Sequence, residues 1–405
     1  MRGPYDFDEI VDRRHSHSDK WDVREGELPM WVADMDFKTA PEIREALAGR
    51  VAHGVFGYSI VPDEWYDAYI GWWKDRHGLA IEKDWLIFAT GVVPAISSLV
   101  RKLTTPAENV VVMTPVYNIF FNSILNNGRV PLESPLKLAP EGYMIDWEDL
   151  EEKLSNPQST LLLLCNPQNP GGRIWTREEL AKLAGLCARY GVVVVSDEIH
   201  CDLTDPGTSY VPFASVSDLA RQISVTCVSP SKAFNVAGIH SAAVFVPDEN
   251  LRHKVWRGLN TDEVAEPNSF AVEMAVAAFT QGGPWLDALR QYLYQNKRLV
   301  ASFVAQNLPE LQVVPENATY LVWIDLHQLP GQGKGFAAFL REKTGLFLSD
   351  GPQYGKGGEG FVRMNVACPR AVVEEGLARL RKGVGLYREK YRYIPGSCRH
   401  DPDVS

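Results

Sequence analysis

The chain contains no apolar run approaching the ~18 residues of a membrane span, and its opening stretch MRGPYDFDEIVDRRHSHSDKWD lacks the apolar core of a signal peptide. These two absences point to a cytoplasmic protein without a membrane partner. No block of like charge occurs either: 41 basic residues stand against 51 acidic ones, a net charge of −10. Nucleic acid and anionic surfaces therefore find no electrostatic footprint, and any phosphate group must be held locally. Cysteine is sparse. The six (Cys165, Cys187, Cys201, Cys227, Cys368 and Cys398) show no CxxC spacing and fall mostly in apolar runs, so they read as reduced core residues rather than disulfides or zinc ligands. His15 and His17 in RRHSHSD have no cysteine nearby, which favours a solvated turn and leaves no metal site expected. Internal repeats and low-complexity tracts are missing as well.

What is present is an ordinary globular composition, 45% hydrophobic and 23% charged, in a chain whose 405 residues exceed one compact core. Seven short apolar runs are bounded by turn residues: WLIFAT (85–90), NVVVMTP (109–115), RVPLE (129–133), TLLLLCNP (160–167), VVVVSDE (192–198), ISVTCVS (223–229) and SAAVFVP (241–247). Helical patterns lie between several of them. TREELAKLAGLCARYG opens on Thr176 with Glu179 three residues later and closes at Gly191, a capping box with a glycine stop.

Strands alternating with helices predict an α/β fold whose large domain holds a mostly parallel seven-stranded sheet covered on both faces. Long helical patterns from about Glu266 to Leu308, followed by TYLVWIDL, GLFLSD, GFVRMNVA and a last helix, predict a smaller α+β domain. The expected divisions are an N-terminal segment, 1–45, packing with the small domain, a large domain, 46–284, the small domain, 285–390, and a mobile tail, 391–405.

Ligands in such sheets bind beyond the carboxyl ends of the strands. There stand Tyr117 after VVVM, Asn169 in NPQNPGG, Asp197 and His200 in SDEIH, and Lys232 in SPSK. Each alone has a bland explanation, as core edge, turn former, cap or solvated surface. Converging on one sheet edge, an aromatic ring, an amide, a carboxylate and a lysine match the needs of pyridoxal 5'-phosphate. A lysine can hold the aldehyde covalently, a carboxylate can keep the pyridine nitrogen protonated, and an aromatic ring can stack on the cofactor. Gly91, Val92 and Val93, between a strand and a helix, and Ser229 and Ser231, beside the lysine, can hold the phosphate.

In this order and spacing, NPQNPGG, SDEIH and SPSKAFNVAG resemble the fold-type I pyridoxal phosphate enzymes of the aspartate aminotransferase superfamily. MWVADMDF, FGYS, TPVYNIFFNSILNNGR, SDEIHCDL and FVRMNVACPR resemble, more narrowly, its cystathionine β-lyase branch, typified by MalY, PatB and cystalysin. The resemblance spans residues 5 to 390. It implies Lys232 as the lysine carrying the cofactor, Asp197 as partner of the pyridine nitrogen, Asn169 at the phenolic oxygen and the substrate carboxylate, and Tyr117 stacked on the ring. Arg363 in FVRMN would bind the substrate carboxylate bidentately, its bland alternative being a surface ion pair. Tyr58 in FGYS would reach the phosphate in the other subunit, implying a homodimer with shared active sites. His200 stands where aminotransferases of the superfamily usually carry a tyrosine.

Small departures are Ala233, where the branch often has threonine, and Pro230 instead of a smaller residue. The activity implied is α,β-elimination of L-cystathionine or a related L-cysteine conjugate, a small amino-acid thioether, to pyruvate, ammonia and a thiol. Two alternatives stay open: an aminotransferase on the same fold, and a regulatory scaffold binding a protein partner.

Overall fold

All seven apolar runs form strands of one sheet in the computed structural model, which describes residues 5–392. The strands are β1 (Leu86–Ala89), β2 (Asn109–Thr114), β3 (Val130–Pro135), β4 (Ser159–Cys165), β5 (Val193–Asp197), β6 (Ser224–Val228) and β7 (Ala242–Phe245). Their spatial order is β1-β7-β6-β5-β4-β2-β3. Pairings among β2 to β6 are parallel, whereas β7 runs antiparallel to both β1 and β6. The carboxyl ends of six strands and the amino end of β7 therefore share one edge.

Continuous apolar character reflects burial on both faces, divided by the two-residue period of a strand. Val110, Val112, Leu161, Leu163 and Val195 pack on one side against the helices Val92–Leu103 and Glu249–Thr261. Val111, Met113, Leu162, Leu164 and Val194 pack on the other against the helix Arg177–Arg189. That helix begins as expected: Thr176 Oγ accepts the Glu179 amide at 3.2 Å, and Glu179 Oε2 accepts the Thr176 amide at 2.9 Å. Gly191, at φ 69°, follows its end.

The helix Gly283–Asn307 leads to a four-stranded antiparallel sheet of Gln312–Val313, Leu321–Asp325, Phe361–Asn365 and Ser349–Asp350. Near the amino end, Leu28–Pro29 pairs in parallel with Leu346–Phe347. The following strap, residues 31–37, is clamped from two sides. Asn235 Nδ2 donates to the carbonyls of Met35 (3.0 Å) and Phe37 (2.8 Å), while its Oδ1 accepts the Met35 amide at 3.0 Å. Asn365 Nδ2 donates to the carbonyls of Val32 and Asp34, both at 2.6 Å. Buried Lys20 pairs with Asp36 at 2.7 Å and holds the strap's outer side.

His15 and His17 sit in an exposed turn. Five cysteines are buried free thiols, and Cys398 lies outside the described residues. The last helix, Arg370–Arg392, runs two residues into the segment expected as a mobile tail, whose remainder, 393–405, is also outside them. Among the described residues no helix is long and apolar enough to cross a membrane.

Candidate active site

A cavity of about 190 Å³ opens where the strand ends converge. Tyr117 enters it from the loop after β2, Asn169 from the turn after β4, Asp197 from the end of β5 with His200 just beyond, and Lys232 from the turn after β6. Gly91, Val92 and Val93, at the start of the helix after β1, line the same cavity, as do Ser229 and Ser231. Ten of the twelve residues singled out in the sequence thus share one wall. Arg363 stands behind Asn169, and Tyr58 is fully exposed and apart from the cavity.

Lys232 is carried on a one-turn helix, Pro230–Ala233, whose cap is Ser229: the Ser229 hydroxyl accepts the Ser231 amide at 3.0 Å and donates to the Ser241 carbonyl at 2.6 Å. The Lys232 amine donates to the Ala33 carbonyl at 2.6 Å. Burial lowers its pKa, with the Arg363 charge acting in the same direction and Asp34 and Asp197 opposing.

Asp197 is buried, and burial pushes its carboxyl up to about 7 despite the Ile199 amide at 3.1 Å and the charge on Lys232. A carboxylate so placed gains from a cationic partner. His200 is pushed down to about 3 by burial and by the charges on Lys232 and Arg363, so its ring is neutral, and its buried Nδ1 has no partner. Tyr117 packs edge-on against Phe120 at 5.8 Å, its hydroxyl pushed up to about 12 by burial and by Asp197.

Arg363 lies in the strand Phe361–Asn365, buried over the Tyr354 ring at 5.0 Å. One terminal nitrogen donates to Asn169 Oδ1 and the other to the Trp31 carbonyl, each at 3.0 Å. Among the described residues no carboxylate lies within ion-pair distance of it, and its Nε is unpartnered. Taking a guanidinium out of water without a counter-anion is costly, so the site is built for an anion from elsewhere.

The open valences suit pyridoxal phosphate. The cavity offers a low-pKa amine, an acidic group lacking a cation, the unpartnered His200 Nδ1 and Ser241 Oγ, and helix-start amides at Val92 and Val93.

Several contributors went unassigned in the sequence. Trp31 and Ala33 act through backbone carbonyls, and only the motif MWVADMDF marked their segment. Glu198 accepts from Ser196 Oγ (2.8 Å), Asn166 Nδ2 (3.2 Å), Tyr210 Oη (2.9 Å) and the Phe213 amide (2.9 Å), tying the end of β5 to the turn that carries Asn169. Its signal was a second carboxylate beside Asp197. His240 and Ser241 reach the cavity because β7 is reversed, which no local pattern announces.

The family model for aminotransferase class I and II matches residues 30–380. The chain is 43% identical to cystathionine beta-lyase PatB of Bacillus subtilis, over 93% of this chain and 98% of PatB. To protein MalY of Escherichia coli it is 36% identical, over 95% of this chain and all of MalY. Its fold is similar to the crystal structure of cystalysin from Treponema denticola, which contains pyridoxal 5'-phosphate. The TM-score there is 0.91 at 33% identity, over 94% of this chain and 99% of cystalysin. With the matched region covering most of its length, the chain belongs to the aminotransferase class I and II family.

Proposed function

We propose that this protein is a pyridoxal phosphate-dependent carbon–sulfur β-lyase, acting on L-cystathionine or a related L-cysteine conjugate to release pyruvate, ammonia and a thiol. The amino-acid substrate is carried by one observation, the buried and unpaired Arg363 guanidinium beside the lysine cavity. Elimination rather than transamination is supported by likeness to PatB across nearly the whole chain.

The cofactor, when bound, supplies an electron sink that stabilises negative charge at the substrate Cα. Asp197 holds the proton on the pyridine nitrogen, a role that a buried carboxylate lacking a cation is suited to fill. Lys232, its amine depressed by burial, removes the Cα proton and returns one to the departing sulfur. Arg363 and Asn169 orient the substrate carboxylate, the guanidinium by two parallel hydrogen bonds. Neutral His200 offers a hydrogen-bonding nitrogen without adding charge.

Cystathionine is expected to yield pyruvate and homocysteine in equal amounts with no 2-oxo acid added. Both products can be followed by enzymatic pyruvate determination and thiol titration. Product formation that requires 2-oxoglutarate or pyruvate would replace the lyase reading with the aminotransferase one.

The same reading makes the protein a homodimer. Tyr58 is fully exposed within a stretch that also exposes Val55, Phe56 and Ile60, an apolar surface suited to burial against a second copy. In the dimer Tyr58 serves the partner's phosphate site. Mixing Lys232→Ala protein with Tyr58→Phe protein is then expected to restore part of the activity through hybrids holding one intact site. Absence of recovery after demonstrated subunit exchange counts against sharing.

A further inference from the structure

We propose that His77, Cys201 and Asp202 form a binding site for a soft divalent cation of the zinc type, which ties the end of one helix to the turn beyond β5. The three side chains stand outside the lysine cavity, so the inference does not depend on the pyridoxal phosphate reading above. No metal-ligand spacing in the sequence could announce such a site, because His77 and Asp202 are 125 positions apart. His77 is the last residue of the helix Asp63–His77, and Cys201 and Asp202 directly follow His200.

Geometry comes first. One ring nitrogen of His77, the Cys201 sulfur and one carboxylate oxygen of Asp202 all lie within 4.8 Å of one another. Bonds of tetrahedral zinc to such atoms, about 2.0–2.3 Å long, set the ligands about 3.2–3.8 Å apart, so closing the shell takes shifts of about 1 Å. Side-chain rotation covers that. Among the described residues no other group of three His, Cys, Asp or Glu side chains converges in this way.

The ligands are also held from behind. Asp202 Oδ1 accepts the Trp72 indole N–H at 2.9 Å, an outer hydrogen bond of the kind that orients a ligating carboxylate, and His77 Nε2 lies 2.9 Å from the same oxygen. The imidazole packs against the rings of Tyr210 and Trp73, at 4.8 and 5.5 Å. Cys201 and Asp202 are buried, and the His77 side chain keeps 8% exposure, a narrow approach for an ion and for water as a fourth ligand.

Charge balance selects the ion. When a divalent cation binds, the Cys201 S–H bond breaks, a metal–sulfur bond forms and the proton leaves to solvent. Thiolate, carboxylate and neutral imidazole then carry two negative charges against two positive ones, whereas any other valence leaves net charge buried. Sulfur and imidazole nitrogen favour zinc-class ions over magnesium or calcium, which demand oxygen. The surroundings suit a cation as well. His77 closes a helix, whose last carbonyls present partial negative charge, and the buried Glu198 carboxylate stands close enough to act on the Cys201 thiol. Arg76, the neighbouring cation, is already paired with Asp287 at 2.6 Å.

The test uses Co²⁺, which enters zinc sites and reports their geometry through visible bands at longer wavelengths than a pyridoxal chromophore absorbs. Full-length protein, first stripped with a chelator and dialysed, is expected to bind one Co²⁺ per chain with a Kd of about 10 μM or tighter and to show the intense bands of four-coordinate cobalt. Zn²⁺ is expected to displace the cobalt and abolish the bands. Cys201→Ala and His77→Gln should each weaken binding about a hundredfold and remove the bands, whereas replacing His15 and His17 together by alanine should change neither. Should His77→Gln fail to fold, Cys201→Ser decides, since it keeps a donor for Asp202 and loses the soft ligand: a hundredfold loss supports the proposal, and parental affinity overturns it. Bands that persist in Cys201→Ala overturn it too. So does a parent chain that binds no cobalt or shows only the faint spectrum of the six-coordinate ion, in which case the cluster is a hydrogen-bonded knot around Asp202 and nothing more.

Discussion

Lys232→Ala protein is expected to bind pyridoxal phosphate yet turn over cystathionine about 10⁴-fold more slowly than the parent, or worse. The substitution removes the covalent anchor and the proton-transferring amine together, and positioned general base catalysis alone accounts for about 10²–10⁴ in rate. The fold should survive. Ala33, whose carbonyl accepts the Lys232 amine, also accepts the Tyr320 hydroxyl at 3.0 Å, so no buried carbonyl is orphaned. Borohydride reduction of the parent holoenzyme should fix the cofactor on the peptide containing Lys232, and the variant should carry no such label. Label on a different lysine, or a variant retaining a tenth of the parental rate, would sink the assignment.

Arg363→Ala is expected to lower kcat/KM about 10³-fold, mostly by raising KM. Losing a buried, bidentate charge-assisted contact costs about 2–5 kcal/mol. The local structure is again insured: the Trp31 carbonyl that Arg363 touches also accepts the Ser349 hydroxyl at 2.9 Å. Arg363→Lys keeps the charge but loses the planar fork, so it should recover only part of the loss. The cofactor should still bind in both, because Arg363 lies behind Asn169 rather than in the cavity wall. Steady-state kinetics within threefold of the parent for Arg363→Ala would remove this residue from substrate binding.

The large sheet was legible because burial on both faces leaves an uninterrupted apolar signature. LLLL in β4 and VVV in β5 could hardly be anything else between turn signals. Lys232, Asp197, Asn169 and Tyr117 were legible for a related reason. Each follows such a run, and strand ends are where chemistry collects. What stayed hidden had no side-chain signature or no local one. Trp31 and Ala33 contribute peptide oxygens, which every residue possesses. Glu198 serves as a four-way tie whose donors come from Asn166, Ser196, Tyr210 and Phe213. The direction of β7 cannot be read from SAAVFVP, because an apolar run looks the same forwards and backwards, and His240 went unnoticed with it.

The clamped strap bears on how the site comes into being. Its bonds to the lysine turn join residues about two hundred positions apart: 199 for Lys232 to Ala33 and 200 for Asn235 to Met35. Those to the small sheet are longer still, 332 for Arg363 to Trp31 and 333 for Asn365 to Val32. Such contacts carry a loop-closure cost and depend on everything between them being in place. On a ribosome, the amino-terminal strap emerges among the first residues, but the groups that fasten it emerge about 200 residues later, at Lys232 and Asn235, and about 330 residues later, at Arg363 and Asn365. No nascent chain short of Arg363 can possess both cationic ends of the site, so a translation product truncated before it that folds its parallel sheet still lacks the anchor for the substrate carboxylate.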